Sequence, residues 1–219
     1  MGNELLRVAY GLDRLLWQEP DEDQLDVWDV TLQIGEIGEL GERDERDDET
    51  EVRWQPIARA VLYGIDVDRC LRVGEAPFDV ADAHSADVAY YYEHVLDVGG
   101  AFQPDVEDEL EWPPSRVLFL HDVNVDPGLR RKRYASLLVA DAILTLAPLG
   151  TAVFAHPGPT DRDSDRDDDL GRLRSETENT RFLASLGFRP FRDRMWLLDL
   201  AREDTAETLG AIRRGTSHA

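Results

Sequence analysis

The chain has little cysteine and no long apolar segment. Its 219 residues include one cysteine, Cys70, so an internal disulfide framework is excluded. No run of about 18 apolar residues occurs, and a helix needs that length to span a membrane, so we expect no transmembrane helix. The N-terminal segment lacks the apolar centre of a signal peptide. From these absences we expect a cytoplasmic protein that has no membrane partner.

Positive charge is scarce as well. Lysine and arginine together number 24 against 46 aspartates and glutamates, which gives a formal net charge of −22, and Lys132 is the sole lysine. An acidic surface repels polyanions, so we do not expect the protein to bind nucleic acid. The acidity has two open explanations. It suits a protein in high salt, where self-repulsion is screened, and it also suits a genome rich in GC codons.

The length and a hydrophobic content of 42% suit one domain with a sizeable core. We therefore expect a single domain over residues 1–219, with two small domains as the alternative. Apolar spacing predicts helices over 3–17, 79–98 and 134–147, a helix from a capping box at Ser175 to a stop at Gly187, and a short helix in the tail, 201–219. It predicts strands over 27–35, 57–67, 116–125 and 150–159, and a strand or bent hairpin over 188–200.

The order of these elements predicts an α/β fold. From residue 116 onward a strand, a helix, a strand, a helix and a strand follow one another, which is typical of a mixed sheet with crossover helices. The two earlier strands extend that sheet by antiparallel hairpin pairing. Three consecutive tyrosines, Tyr90–Tyr92, cannot all point inward from one helix, so at least one is partly exposed. They either pack the helix or form the wall of a substrate site.

Four cations stand in a row between strand 116–125 and helix 134–147: Arg130, Arg131, Lys132 and Arg133. The first turn of a helix leaves backbone N–H groups without partners, and the helix dipole adds partial positive charge there. Such a turn binds anions, most often phosphates. Carboxylates of the protein itself are the alternative partners of the cations. A nucleic-acid interpretation of the four cations conflicts with the acidity of the whole chain.

The segment "VNVDPGLRRKRYASLL" resembles the cofactor-binding motif of the GNAT superfamily of N-acetyltransferases. Pro127 matches the proline after the strand, Arg130 the Arg/Gln position and Ala135 the last small residue of the turn. The segment "FLASLGF" at 182–188 resembles the second signature of that family, in which a helix ends in Leu-Gly-Phe. The resemblance covers about residues 116–200, which we expect to be the cofactor-binding half of the domain.

The resemblance implies a GNAT-like α/β (α+β) fold, with a mixed, mostly antiparallel sheet splayed at its central strands and helices on both faces. It implies that acetyl-coenzyme A places its pyrophosphate against a turn comprising Arg130, Arg131, Lys132, Arg133, Tyr134 and Ala135. The pantetheine arm would lie along the strand edge at Val123 and Val125, where a backbone N–H near Val123 would stabilise the oxyanion. The implied activity is acetyl transfer to a primary amine of a small molecule or a peptide.

Two residues depart from the family pattern. Arg133 replaces the central glycine of the turn. A glycine at that position lets the cofactor approach the backbone closely. Leu183 stands where the family often has a tyrosine that protonates the departing thiolate. These departures support an alternative from another class of protein, a non-catalytic module with the same fold that binds acyl-coenzyme A as a regulator or scaffold.

The candidate general bases are His121 and Asp122 on the central strand. Because side chains alternate along a strand, we expect the two to point to opposite faces, so that one of them meets the substrate. The unperturbed pKa of histidine, near 6.5, suits a base, and a histidine satisfied inside the sheet is the alternative for His121. His156 ends the next strand and is a less favoured candidate, because Pro157 and Gly158 indicate a loop there.

The acidic segment "DRDSDRDDD" at 161–169 has aspartates at calcium-ligand spacing. The calcium-loop pattern also needs a glycine and a glutamate, and those positions hold Arg166 and Arg172. We therefore predict no metal site. The acid of this loop would instead favour a cationic amine at the entrance to the acceptor site.

Overall fold

A seven-stranded sheet forms the centre of the protein. The computed structural model describes residues 5–13, 24–37, 52–112, 114–148, 150–158 and 169–215. The strands are β1 Leu5–Asp13, β2 Leu25–Ile37, β3 Val52–Asp66, β4 Arg116–Val125, β5 Thr151–Ala155, β6 Arg189–Pro190 and β7 Trp196–Asp199. The helices are α1 Val67–Val73, α2 Pro77–His84, α3 Ala86–Glu93, α4 Pro104–Glu107, α5 Tyr134–Leu146, α6 Asp169–Ser185 and α7 Glu203–Gly215.

The strand order across the sheet is β1-β2-β3-β4-β5-β7-β6. β4 and β5 are parallel to each other, and the other neighbouring strands pair antiparallel. The sheet is therefore mixed and mostly antiparallel, and β2 and β3 extend it by antiparallel pairing as the sequence predicted. The parallel pair is joined through α5, as expected for strands that a hairpin cannot connect.

Helices cover both faces of the sheet, which confirms the predicted fold class. On the first face, called the α1 face below, α1, α2, α3 and α4 pack on an apolar core that includes Phe119 and Phe154. On the second face, called the α5 face, α5, α6 and α7 pack on a core that includes Leu118 and Leu138. Alternate residues of β4 enter the two cores, so the strand is buried on both sides over its first half. No helix within the described ranges has the length and apolar character that crossing a bilayer requires.

The prediction of a helix over 3–17 is wrong, because residues Leu5–Asp13 form strand β1 at the edge of the sheet. Leu6, Val8 and Tyr10 pack against the core of the α5 face. Their spacing of two residues is the period of a strand. The same segment also has leucines at helical spacing, so its periodicity was ambiguous, and antiparallel pairing with β2 decided the outcome.

The helix predicted over 79–98 is two short helices that meet at Ser85. Ser85 has an extended backbone, and its hydroxyl accepts a hydrogen bond from Val88 N at 3.2 Å, so it ends α2 and caps α3. A second boundary differs at α6, which begins at Asp169 rather than at Ser175. Its end agrees with the prediction, since Gly187 adopts a left-handed φ of 95° just beyond it.

Candidate functional site

The pairing of the two central parallel strands ends halfway along β4. β4 pairs with β3 over its full length, but its pairing with β5 ends at Leu120 and Ala155. On the side that faces β5, the backbone of Val123–Val125 has no hydrogen-bond partner among the described residues. The side chains of Val123 and Val125 pack on the core of the α5 face. The edge of β4 beyond Leu120 therefore has no strand partner, and the region beside it, at the ends of β4 and β5, is called the opening below.

A β-bulge at His121 changes which way the candidate bases point. In the register of β3 and β4, Leu62 lies opposite Leu120 and Val61 lies opposite Asp122, so His121 is the extra residue. The bulge places both candidates on the α1 face. The ring of His121 contacts Tyr63 there, and Asp122 shares the face of its opposite residue, Val61. The expectation that the two side chains point to opposite faces is therefore wrong.

His121 is held between a strand and a helix. Its Nδ1 lies 3.2 Å from Oη of Tyr91 on α3, and its ring centroid lies 5.0 Å from that of Tyr63 on β3. Tyr91 is in turn stacked on Phe119 in the core. One nitrogen of the imidazole thus has a defined partner, so the ring is oriented at the start of the opening. The prediction for the three tyrosines is confirmed, because Tyr91 and Tyr92 are buried whereas Tyr90 is 42% exposed.

A second histidine lies on the opposite side of the opening. Leu120 and Ala155 are the last paired residues of β4 and β5, and the residues that follow them are His121 and His156. Tyr91 contacts the first ring and Tyr90 the second, with ring centroids 5.9 Å and 6.4 Å apart respectively. The consecutive tyrosines of α3 therefore connect two imidazoles across the opening. The sequence favoured His121 and Asp122 as bases and left His156 as a weaker candidate, since the position of His156 depends on where the strand pairing stops.

The environment of His156 favours its neutral form. Its Nδ1 accepts a hydrogen bond from Gly158 N at 2.9 Å. Burial lowers the pKa of His156 below its usual value, and the nearby charges of Arg194 and His94 lower it further, while Glu176 acts in the opposite direction. Arg194 lies just before β7 and Glu176 on α6, and the two form an ion pair, so much of their effect on the imidazole cancels.

The cationic turn has an unusual backbone. Arg131 and Arg133 adopt left-handed conformations, with φ of 68° and 63°, although neither is a glycine. Helix α5 follows at once and has no side-chain cap. Leu137 N is the first helix amide with a backbone acceptor, so the amides of Ala135 and Ser136 have no acceptor within the described part of the chain. The turn therefore presents donor groups to any anion that approaches it.

The four cationic residues directly precede these amides in the chain. Arg130, Arg131, Lys132 and Arg133 are exposed, and none of the four forms an ion pair with a residue that the structure describes. Within that part of the chain, the alternative in which the protein's own carboxylates pair with them finds no support. The last two residues of the predicted cofactor segment differ in accessibility, since Tyr134 is buried while Ala135 is half-buried.

Leu183 belongs to the core. It is 3% exposed and lies in the apolar cluster of the α5 face. Its side chain is therefore shielded from solvent, and it has no proton to donate. Leu183, which stands at the tyrosine position of the motif that this segment resembles, thus has a structural role in this chain.

A pocket of ≈ 320 Å³ lies beside Asp122, between the second half of β4 and the first half of β3. Arg59, Asn124 and Asp126 contribute polar groups to it. The guanidinium of Arg59 donates from Nε to Asp29 Oδ2 at 2.7 Å. This hydrogen bond and, to a smaller extent, the negative charge of Asp122 raise the pKa of Arg59. The pocket therefore holds charges of both signs next to the candidate base Asp122.

The described residues contain no group of three or more histidine, cysteine, aspartate or glutamate side chains that could hold a metal ion. The segment 161–168, with its aspartates at calcium-ligand spacing, lies outside the described residues. No protein-family model matches the chain, and no curated protein sequence matches it either.

Proposed function

We propose that this protein is an N-acetyltransferase of the GNAT type, which transfers an acetyl group from acetyl-coenzyme A to a primary amine. One observation carries the proposal. The unpaired edge of β4 at Val123–Val125 leads directly into the cationic turn, whose amides and cationic side chains are available to bind an anion. A ligand that contains a flexible, amide-bearing arm joined to a pyrophosphate fits this arrangement, with the arm along the β4 edge and the pyrophosphate at the turn.

The residues present fit acetyl-coenzyme A in chemical terms. The amides of Ala135 and Ser136 and the positive end of the α5 dipole suit a pyrophosphate, and the exposed arginines neutralise its charge. The free N–H and C=O groups of the β4 edge suit the amides of a pantetheine arm, which would add to the sheet like a further strand. When bound, this group supplies an acetyl thioester that is activated toward attack by an amine.

The side chains on the α1 face suit the acceptor. His121 lies at the start of the opening with Nδ1 beside Tyr91, which makes it the general base that removes the proton from the amine. Asp122 follows it on the same face and contributes negative charge. The layer from α1 to α4 contains many more carboxylates than guanidinium groups, so its field attracts a cationic acceptor such as a polyamine, an aminoglycoside-like amine or a basic peptide.

The alternative function is a non-catalytic module that binds acyl-coenzyme A as a regulator or scaffold. The burial of Leu183 favours this alternative. The residue at the position of the family tyrosine is part of the apolar core and cannot donate a proton. This module would use the same β4 edge and turn. The two functions therefore agree on binding and differ on turnover.

Thermal melting with acetyl-coenzyme A tests what both functions share. A ligand at about 100 times its dissociation constant stabilises the folded protein by roughly 2.7 kcal/mol, so we expect a clear rise in the melting temperature. Adenosine at the same concentration is the control, because it lacks the pyrophosphate and the arm. Absence of a shift at millimolar acetyl-coenzyme A would contradict both functions. Release of free thiol with a panel of amines then separates them, since saturable binding without release would favour the module.

A further inference from the structure

His156 follows β5 beside the helix that carries Leu183. Asn179 of α6 donates from Nδ2 to Pro157 O at 3.0 Å, which ties the residues after β5 to that helix. Leu183 lies four residues further along α6, one helical turn away. The side chain of Leu183 lies in the core of the α5 face, whereas the ring of His156 contacts Tyr90 on the α1 face, so His156 rather than Leu183 supplies a polar group at this end of the opening.

A hydrogen bond defines which nitrogen of His156 carries the proton. Gly158 N donates to Nδ1 at 2.9 Å, and a backbone amide can only donate, so Nδ1 keeps its lone pair. The proton of the neutral ring therefore sits on Nε2. Protonation of Nδ1 would break the bond to Gly158, and burial also lowers the pKa of the ring. At neutral pH the side chain thus offers one hydrogen-bond donor, Nε2–H.

The donor is positioned before any ligand binds. The bonds from Gly158 and Asn179 hold the residues around His156 from two directions. The ring of Tyr90 on α3 lies edge-on to the imidazole, with centroids 6.4 Å apart. The charged and titratable groups that face it are Arg194 before β7, Glu176 on α6 and His94 at the end of α3.

We propose that His156 is a catalytic residue whose Nε2–H donates a hydrogen bond to the leaving sulfur, opposite the base His121. This assignment rests on the proposed function. It gives each side of the opening one histidine, with the proton acceptor on β4 and the hydrogen-bond donor after β5.

The chemistry balances with these two side chains. A C–N bond forms, a C–S bond breaks, and the attacking nitrogen loses one proton, which His121 accepts. The sulfur leaves with the electron pair of the broken bond as a thiolate. His156 stabilises that charge through Nε2–H and keeps its own proton, since a neutral imidazole is a much weaker acid than a thiol. Removal of one donor of this kind typically lowers kcat by about 10²–10³.

The first test is a nitrogen-15 NMR titration of the histidine rings, with His156 assigned by loss of its signals in His156→Gln. We expect the Nε2–H tautomer and a pKa below about 6.5, the usual value. Because the folded pKa lies below the unfolded one, stability should fall as pH decreases through the unfolded pKa, and His156→Gln should remove that slope. A ring protonated on Nδ1, or a pKa above the usual value, would overturn the assignment.

The second test compares the affinities of coenzyme A and desulfo-coenzyme A at about pH 9, where much of the thiol is ionised. His156→Leu should weaken coenzyme A by about tenfold or more and leave desulfo-coenzyme A unchanged, because a hydrogen bond to a charged group is lost. His156→Gln keeps an N–H donor and should retain the affinity. His84→Leu, an exposed histidine on α2, is the matched control.

The outcomes separate the two proposals. If the wild-type protein bound neither ligand, the proposed function would fail and this assignment with it. If the wild-type protein and His156→Leu bound coenzyme A equally well, the assignment of His156 would fail while the proposed function would stand.

Discussion

The two halves of β4 differ in their surroundings as well as in sequence. Arg116–Leu120 pair with β3 on one side and β5 on the other, and the apolar residues among them are almost completely buried. His121–Val125 pair with β3 alone and are half-buried or exposed. The cause is length, since β4 has 10 residues and β5 has 5. Backbone groups that a longer partner strand would have used therefore have no strand partner among the described residues.

Helix α5 shows the same contrast between its ends. Its first turn is uncapped and surrounded by exposed cations. Two turns later Asp141 accepts a hydrogen bond from Tyr10 on β1 at 2.5 Å and pairs with Arg213 on α7 at 2.7 Å. Burial and this bond raise the pKa of Tyr10 to about 12. The contacts of Asp141 hold the second half of α5 in place and thereby orient its uncapped first turn. In β4 and in α5 alike, one half packs in the core and the other half is accessible.

The largest expected effect compares the same substitution in the two halves of β4. Val117→Ala removes two methyl groups from the core of the α1 face, where Val117 is 0% exposed, and should lower the free energy of unfolding by about 2–3 kcal/mol. Val123→Ala, in the unpaired half, should cost about 1 kcal/mol or less because that side chain is partly exposed already. Urea unfolding measures both.

Binding should show the reverse order. Val123→Ala should reduce the affinity for acetyl-coenzyme A, because packing of that side chain on the α5 face holds the edge whose backbone would bind the arm, while Val117→Ala should leave it unchanged at a temperature where the variant is folded. Equal costs in unfolding, or a loss of affinity confined to Val117→Ala, would remove the distinction between a structural and a binding half.

The sequence was sufficient for elements whose signal is local. β4, the cationic turn and α5 were predicted within a residue or two, because a long apolar run, a proline and a helical stripe occur in succession. The antiparallel pairing of β2 and β3 also followed from local patterns. These are the parts in which secondary-structure propensity and tertiary packing agree.

The sequence was insufficient where the outcome depends on a partner. The bulge that turns His121 and Asp122 to one face exists only in the register of β4 against β3. The place of His156 depends on the length of β5 relative to β4. The apolar spacing of β1 suits both periods and its pairing with β2 is not visible locally, so the sequence predicts a helix there. Register and strand length are non-local quantities, so periodicity alone does not determine them.

The next comparison concerns charge at the turn. Arg130→Ala with Arg131→Ala should weaken acetyl-coenzyme A by about tenfold at low salt and by less at high salt, because exposed cations act on a pyrophosphate through screened attraction. Titration calorimetry at two ionic strengths measures the difference. Arg69→Ala with Arg72→Ala on α1 is the control, since it changes the net charge equally at another place. An equal loss at both ionic strengths would indicate that the two arginines pair with carboxylates of the protein instead.

The smallest expected effect separates the backbone of the turn from its charge. Arg133→Gly and Arg133→Ala remove the same cation, but only glycine adopts a φ of 63° without strain, so the glycine variant should be more stable by about 1 kcal/mol. It should also bind acetyl-coenzyme A more tightly than the alanine variant, because no Cβ stands between the ligand and the backbone. At Lys132, whose φ is not positive, the same pair of substitutions should reverse in stability, with alanine ahead. If the glycine and alanine variants had the same stability and the same affinity for acetyl-coenzyme A, the left-handed backbone would not be what the ligand requires. The contribution of Arg133 to binding would then come from its charge alone.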